Sequence, residues 1–385
     1  MAYAFCVAML GTTLPTPLYL IYQQRLGFGS SLTTVIFAVY AAGVIAALLL
    51  FGRASDIIGR RPVLLSGLVA SALSAASFLT VGGLPEILAG RLLSGLSAGV
   101  VTATATVMLV ELVPVHRRTA AALLAAAVNM FGLSCGPLLA GLLAEYAPRP
   151  LRLPYEVDLV LVGVAMIAVF LAPETVRTRR PCWPRPQRPA VAVQARAVFV
   201  PAAIAAFAAF AVFGLVASVA PGILATVLHL PDRALAGAVV FVMFATSAFA
   251  QLVLARVPTL IALPAGCAVL IAGLAGIAGA LLAGSLTLLI AGMVVVGIGQ
   301  SLSFRAGVAA ITMRSPVDER AQTVASFFVV AYTGIAIPVI LVGIAVSPLG
   351  LRNAAIAFTI GVASLSLAAL VAVLRLEHPL GEAPG

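Results

Sequence analysis

The residues able to do chemistry in this chain are few, and the densest group is charged. Asp56, Arg60 and Arg61 fall within Gly52-Arg-Ala-Ser-Asp56-Ile-Ile-Gly59-Arg60-Arg61-Pro62. An acid beside two guanidiniums suits reversible ion pairing: the carboxylate can accept from a helix N-terminus, and arginine offers a fork that fits a carboxylate or the carbonyls ending a helix. Gly52 and Gly59 allow the backbone to turn sharply and pass close to a neighbour. Arg91 lies about two turns inside an apolar stretch, where arginine is expensive; it is either a functional charge or a side chain that snorkels to the surface. Arg305 poses the same choice between a cavity and snorkelling.

Enzyme-like patterns lack their context. Gly95-Leu-Ser97-Ala-Gly99 has nucleophile-elbow spacing, but it sits inside an apolar run, and His116, His229 and His378 fall in loops or the tail. Gly297-Ile-Gly299 begins like a dinucleotide loop and lacks its third glycine. Cys6, Cys135, Cys182 and Cys267 form no C-x-x-C pair. No metal site, cofactor or enzymatic activity is expected.

The elements that must position these groups are membrane helices. Of 385 residues, 63% are hydrophobic and 9% charged, and mean hydropathy is +1.19. Continuous apolar runs of about 20 residues read as bilayer-crossing helices, and their lack of alternation excludes a membrane barrel. Twelve spans are predicted, near 3–22, 31–51, 62–82, 84–110, 119–142, 157–173, 198–227, 234–255, 259–282, 285–309, 322–346 and 353–374. The N-terminal run carries no basic n-region or clear cleavage site and is read as the first span, not a removed signal. Its Pro15 and Pro17 free backbone carbonyls in mid-helix, which marks a cavity-lining candidate.

Net charge is +10, and all 22 basic residues are arginine. Their confinement to loops fits positive-inside topology better than nucleic-acid binding. With the N-terminus inside, cytoplasmic segments hold 15 arginines and outer loops hold five, namely Arg25, Arg149, Arg152, Arg233 and Arg352. Both termini are therefore expected in the cytoplasm, and the protein in the cytoplasmic (inner) membrane. Arg177 to Arg196, with Arg179, Arg180, Arg185 and Arg188, is rich in proline and free of acid, so an extended linker beside anionic lipid is expected. It divides the chain into residues 1–176, a linker at 177–197, and residues 198–385.

The G-x-x-x-D-x-x-G-R-R run resembles the loop between helices 2 and 3 of the major facilitator superfamily of transporters, with Ala54 and Ile57 replacing a common leucine and arginine. Arg91-Leu-Leu-Ser94-Gly95 resembles that family's helix 4 motif, with Ser94 in place of glutamine; the resemblance implies a coupling role for Arg91. Glu111 is similar to the family's acidic partner for a hairpin arginine. Gly132, Gly136, Pro137 and Gly141 resemble the helix 5 antiporter signature, Gly141 arriving one residue late, and Pro173-Glu174-Thr175 is another ending similar to the family's.

The resemblance implies an all-α membrane protein with twelve helices in two pseudo-symmetric six-helix halves. Weak internal repeats agree: Gly11 and Pro17 match Gly214 and Pro221, while Gly132, Pro137 and Gly141 match Gly334, Pro338 and Gly343. It also implies a conformational latch of Gly52, Asp56, Gly59, Arg60, Arg61 and Glu111 on the cytoplasmic side. Helices 1, 4, 7 and 10 line the cavity in the family, and here carry Thr12, Thr13, Thr16, Tyr19, Ser94, Thr102, Ser218, Gln300, Ser303 and Arg305, flanked by Asn129, Gln251 and Tyr332. For each hydroxyl the competing role is a bond to its own helix backbone.

All twelve acids lie in loops or near helix ends, with Glu111 and Asp158 nearest the interior, each close to an interface. A cavity this apolar suits an uncharged or weakly polar solute. The expected function is proton-coupled efflux of such a solute by a monomer, driven by the proton gradient. Uniport or proton symport of a small metabolite such as a sugar is the alternative within transport, and a non-transporting sensor or scaffold the alternative outside it.

Overall fold

The computed structural model describes residues 1–52, 54–176 and 188–377, and all regular structure among them is helical. Eleven runs are long and apolar enough to cross a membrane. In order they are α1 (Ala2–Thr13) with α2 (Tyr19–Leu26), α3 (Ser30–Phe51), α5 (Arg60–Leu79), α6 (Leu84–Glu111), α7 (Arg118–Tyr146), α8 (Leu153–Leu171), α9 (Arg196–Thr226), α10 (Arg233–Val253), α11 (Thr259–Ala283), α12 (Leu286–Arg314) and α13 (Val317–Glu377). A five-residue helix, α4 (Ala54–Ile58), lies between α3 and α5.

The last run, α13, has 61 residues and holds two spans, since one crossing needs about 20 residues. Spans eleven and twelve, predicted as separate runs at 322–346 and 353–374, are continuous through Pro348 and broken only at Gly350, where φ is 76° and ψ 159°. Twelve crossings follow, with a pivot in place of the expected loop.

The first span is also split. Two prolines interrupt it, and a 3-10 turn at Thr16–Leu18 joins α1 to α2. Proline removes a donor and crowds the preceding turn, so the helix cannot run through. The sixth span begins at Leu153, earlier than predicted, so Asp158 stands inside α8.

Much of the predicted linker, residues 177–187 with Arg177, Arg179, Arg180, Cys182 and Arg185, lies outside the described residues, as do Arg53 and His378. The described end is bonded to protein. The Ala190 amide donates to Ser326 Oγ at 2.9 Å, and the Ala192 amide to Thr323 Oγ1 at 3.2 Å, tying this strand of chain to the start of α13. Arg196 is the first residue of α9, not part of the linker.

Small residues set how closely the helices pack. Along α7, Gly132 and Gly136 receive α1: a Cβ at Gly132 would lie 2.5 Å from the Cys6 carbonyl oxygen, and one at Gly136 would meet that of Leu10. Further along the same helix, Pro137 and Gly141 receive α10. The helix 5 motif is thus a two-sided packing stripe of the kind that van der Waals contact requires in lipid.

Candidate functional site

The elbow between α3 and α5 is held by three carboxylates, Asp56, Glu111 and Glu174. Gly59, with φ 117° and ψ 150°, occupies a conformation open essentially to glycine alone, which turns the chain from α4 into α5. Gly52 has ordinary helical angles, φ −55° and ψ −24°, so the turn expected there falls on Gly59. The Arg60 side chain then folds back. Its Nη1 pairs with Asp56 and donates to Ser55 Oγ at 2.7 Å, while Nη2 and Nε donate to the two Glu111 oxygens at 2.9 and 3.3 Å. Thr175 Oγ1 also donates to Glu111.

Glu174 completes the elbow. It accepts from the Arg60 and Arg61 amides at 2.9 and 3.2 Å, capping the start of α5 from the end of the sixth span. Asp56 stands in the first turn of α4 and pairs with the Arg60 side chain. Arg61, expected to hold a carboxylate, lies with its guanidinium 4.5 Å from the centre of the Phe170 ring. Glu174 was legible only as part of a Pro-Glu-Thr ending, because nothing in local spacing links residue 174 to residue 60.

Two consequences can be measured. Gly59→Ala should cost about 1–3 kcal/mol, the range for a non-glycine residue in that conformation, seen as a lower midpoint of thermal unfolding; an unchanged midpoint would show that the elbow relaxes. Glu174→Ala orphans two amides at a helix start and should cost about 1–2 kcal/mol, by comparison with lost N-caps. Here the control is Glu174→Gln, which keeps an acceptor and should lose less.

Arg91 does not snorkel. It is 1% exposed, and its Nη1 donates to the Thr12 carbonyl at 2.6 Å. That carbonyl lies in the last turn of α1, where helix carbonyls lack partners of their own. The guanidinium sits 5.1 Å from the Phe37 ring centre and 4.8 Å from that of Tyr40, so two aromatic faces of α3 replace water around the charge. Arg305, half-buried, reaches the turn that follows α10: its guanidinium donates to the Leu254, Ala255 and Val257 carbonyls at 3.0 to 3.1 Å, closing that helix end.

Most of the predicted cavity hydroxyls are spent on their own helices. Thr12, Thr13, Ser94, Ser218 and Ser303 donate to carbonyls three or four residues back, and Thr13 is also within hydrogen-bonding distance of the Leu133 carbonyl of α7. Gln300 accepts from Ser247 of α10 at 2.5 Å, Gln251 and Thr16 are buried, and Asn129 is half-buried on α7. Tyr19 is buried with an unpartnered hydroxyl, next to a Tyr22 hydroxyl that bonds Tyr155 at 3.3 Å.

Two of the predicted residues, Thr102 and Tyr332, border open space, with the Thr102 hydroxyl donating to Met9 Sδ at 3.7 Å. A cavity of about 260 Å³ lies between α3, α6 and the first part of α13, lined by Val44, Leu48, Gly52, Thr102, Thr106, Phe328 and Tyr332 among others. Thr106 and Phe328 were missed, since an apolar helix gives no sign of which side meets a gap. The cavity opens where α3 and α13 diverge towards the elbow face. At the other face they touch: Ser31 Oγ donates to the Gly343 carbonyl at 2.7 Å, and Gly343 packs on Thr34. There too the Arg233 amide donates to Glu145 at 3.1 Å, and their side chains pair at 3.6 Å, joining α7 to α10.

This arrangement can be set beside known proteins. The family model described as Major Facilitator Superfamily matches residues 1–279. The chain belongs to this superfamily. It is 29% identical over 136 residues to the MFS efflux transporter aclA of Aspergillus oryzae, covering 35% of this chain and 24% of that protein. It is 29% identical over 167 residues to the multidrug resistance protein MdtL of Klebsiella pneumoniae, covering 43% and 42%. The matched stretch therefore spans less than half of either relative's length. The crystal structure of the human organic anion transporter MFSD10 superimposes with a TM-score of 0.71 at 17% identity, covering 97% of both chains. At that identity the likeness is one of superfamily fold.

Proposed function

We propose that this chain is a secondary active transporter that exports a small, apolar or weakly polar solute from the cytoplasm by alternating access, driven by the proton gradient. One observation carries the reading: the helices before residue 177 and those after residue 187 meet tightly at the face opposite the elbow and part around an apolar cavity on the elbow side. A solute could occupy the space at Thr102 and Tyr332 and leave by the other face once α3 and α7 separate from α13 and α10. At about 260 Å³ the cavity is near the lower end for small-molecule sites, which favours a compact solute. The Asp56–Arg60–Glu111 cluster is formed while the elbow side is open and joins elements of the first half only; as a latch it would gain a partner from the second half when the elbow side closes. Efflux is favoured over import by the relatives named as efflux and multidrug resistance proteins. The excess of loop arginines on the elbow side supports a cytoplasmic elbow and cytoplasmic termini in the inner membrane; the working unit is taken as a monomer in lipid.

The test is flux in proteoliposomes of purified protein under an imposed proton gradient, with a panel of lipophilic cations and neutral metabolites. Proton movement evoked by a substrate supports the proposal. Substrate flux without it makes the protein a uniporter, and absence of flux across a broad panel favours a sensor or scaffold.

A further inference from the structure

We infer that the groove between α9 and the last span is a binding site for an anionic phospholipid, with an acyl chain lying along the groove and the phosphate at Arg375. The inference concerns the lipid-facing surface of the second half and stands apart from the transport reading above.

The groove has a volume of about 680 Å³, between Ala197, Val200 and Pro201 of α9 and a face of α13 that runs from Ser364 to Arg375. That face follows from helix periodicity. Ser364, Ala368 and Ala372 fall at i, i+4 and i+8, and Arg375 at i+11, so they share one side of the helix. Their small side chains leave the hollow. Val200, Leu367 and Val371 remain 56%, 53% and 39% exposed along it.

Its lining suits a hydrocarbon chain. Apart from Arg375, Ser364 is the one polar residue among those described along the groove, and its hydroxyl is spent on the Ile360 carbonyl at 2.9 Å. Nothing polar remains there to orient a hydrogen-bonding solute. Its length suits one leaflet. From Ser364 to Arg375 the helix rises about 16 Å at 1.5 Å per residue, roughly half of a 30 Å hydrocarbon core.

The charge lies at one end. Arg375 stands in the last turn of α13, where the twelfth crossing reaches the elbow side. Arg196, the first residue of α9, precedes the lining Ala197 at the same end. Among the described residues neither arginine has an ion-pair partner. A phosphodiester at this mouth supplies the missing anion at headgroup depth, while its chain covers the exposed apolar side chains. A second copy of the chain suits the groove less. Two-fold pairing about the membrane normal would bring the same unpaired arginine of both copies to one depth at one seam.

The test is mass spectrometry of the intact full-length protein released from detergent micelles, with dioleoylphosphatidylglycerol or dioleoylphosphatidylcholine added at equal concentration. The chains are identical, so a difference reads the headgroup. The expected result is one phosphatidylglycerol retained about fivefold over phosphatidylcholine, the effect of one arginine beside an anionic lipid, with most of that preference lost in Arg375→Gln. Ala368→Leu keeps the charge and fills the hollow, and should reduce retention of both lipids. Both positions are exposed, so neither change burdens the fold. Arg152→Gln, which removes an exposed arginine at the opposite face, should alter nothing. Equal retention of the two lipids by wild type, a preference unchanged in Arg375→Gln, or retention unchanged in Ala368→Leu overturns the assignment. So does a dimer mass that Ala368→Leu abolishes, which would give the groove to a second copy.

Discussion

Replacement of Gly237 by leucine should stop the two faces from alternating while leaving the helices folded. A Cβ at Gly237 would run into the Pro137 carbonyl oxygen, and across the same contact a Cβ at Gly141 would lie 2.5 Å from the Arg233 carbonyl. Both are backbone atoms and cannot swing aside. Overpacking of this kind costs about 1–3 kcal/mol. Here the cost falls on one conformation, the one in which α7 and α10 touch, so the balance between faces should shift by about 5- to 150-fold. Flux should fall accordingly.

The population shift can be read directly. Thr34 is 1% exposed and packs on Gly343. A cysteine placed there, with Cys6, Cys135, Cys182 and Cys267 replaced, should react slowly with an impermeant maleimide in the parent and faster with leucine at residue 237. Unchanged labelling together with unchanged flux would remove this contact from the transport cycle. Glu145→Gln acts at the same place with a smaller effect, because the pair is partly exposed and such pairs contribute about 0–1 kcal/mol.

Arg91→Ala should be the most damaging single change in the first half of the chain. It removes the donor to the Thr12 carbonyl, empties a volume between Phe37, Tyr40 and the first span, and deletes the buried cation nearest the α1 break. An orphaned buried carbonyl alone costs about 1–3 kcal/mol, and the emptied space adds to that. The expected outcome is a lower unfolding midpoint and, in folded protein, loss of at least about tenfold in flux, since 1.4 kcal/mol is a factor of ten. Arg91→Lys separates structure from charge. Lysine keeps a cation and can reach one carbonyl but lacks the planar guanidinium that stacks on two rings, so stability should recover more than flux. Full flux with alanine would reduce Arg91 to a packing residue.

Composition by itself dictated that the chain crosses a membrane many times as helices, because long unbroken apolar runs have no other stable form in lipid. Local sequence also placed the elbow, since a Gly-x-x-x-Asp-x-x-Gly-Arg-Arg run between two spans can lie only at a membrane face. Pro15 and Pro17 marked a weak point in the first span, which the break between α1 and α2 explains through proline's missing donor.

Which side chains meet was decided only by packing. Glu174 reaches Arg60 across 114 residues, and Asp158 lies against Gly11 although its sequence position suggested an interface. Arg305 closes α10 when spacing offered it only a cavity or the lipid surface. Apolar periodicity could not foresee these pairings. In lipid both the outward and inward sides of a helix are apolar, so the contrast that marks the buried side of a soluble helix is lost. The polar contacts then depend on how close small residues such as Gly11, Gly141 and Gly237 let neighbouring backbones come, a property of pairs of helices and not of any one of them.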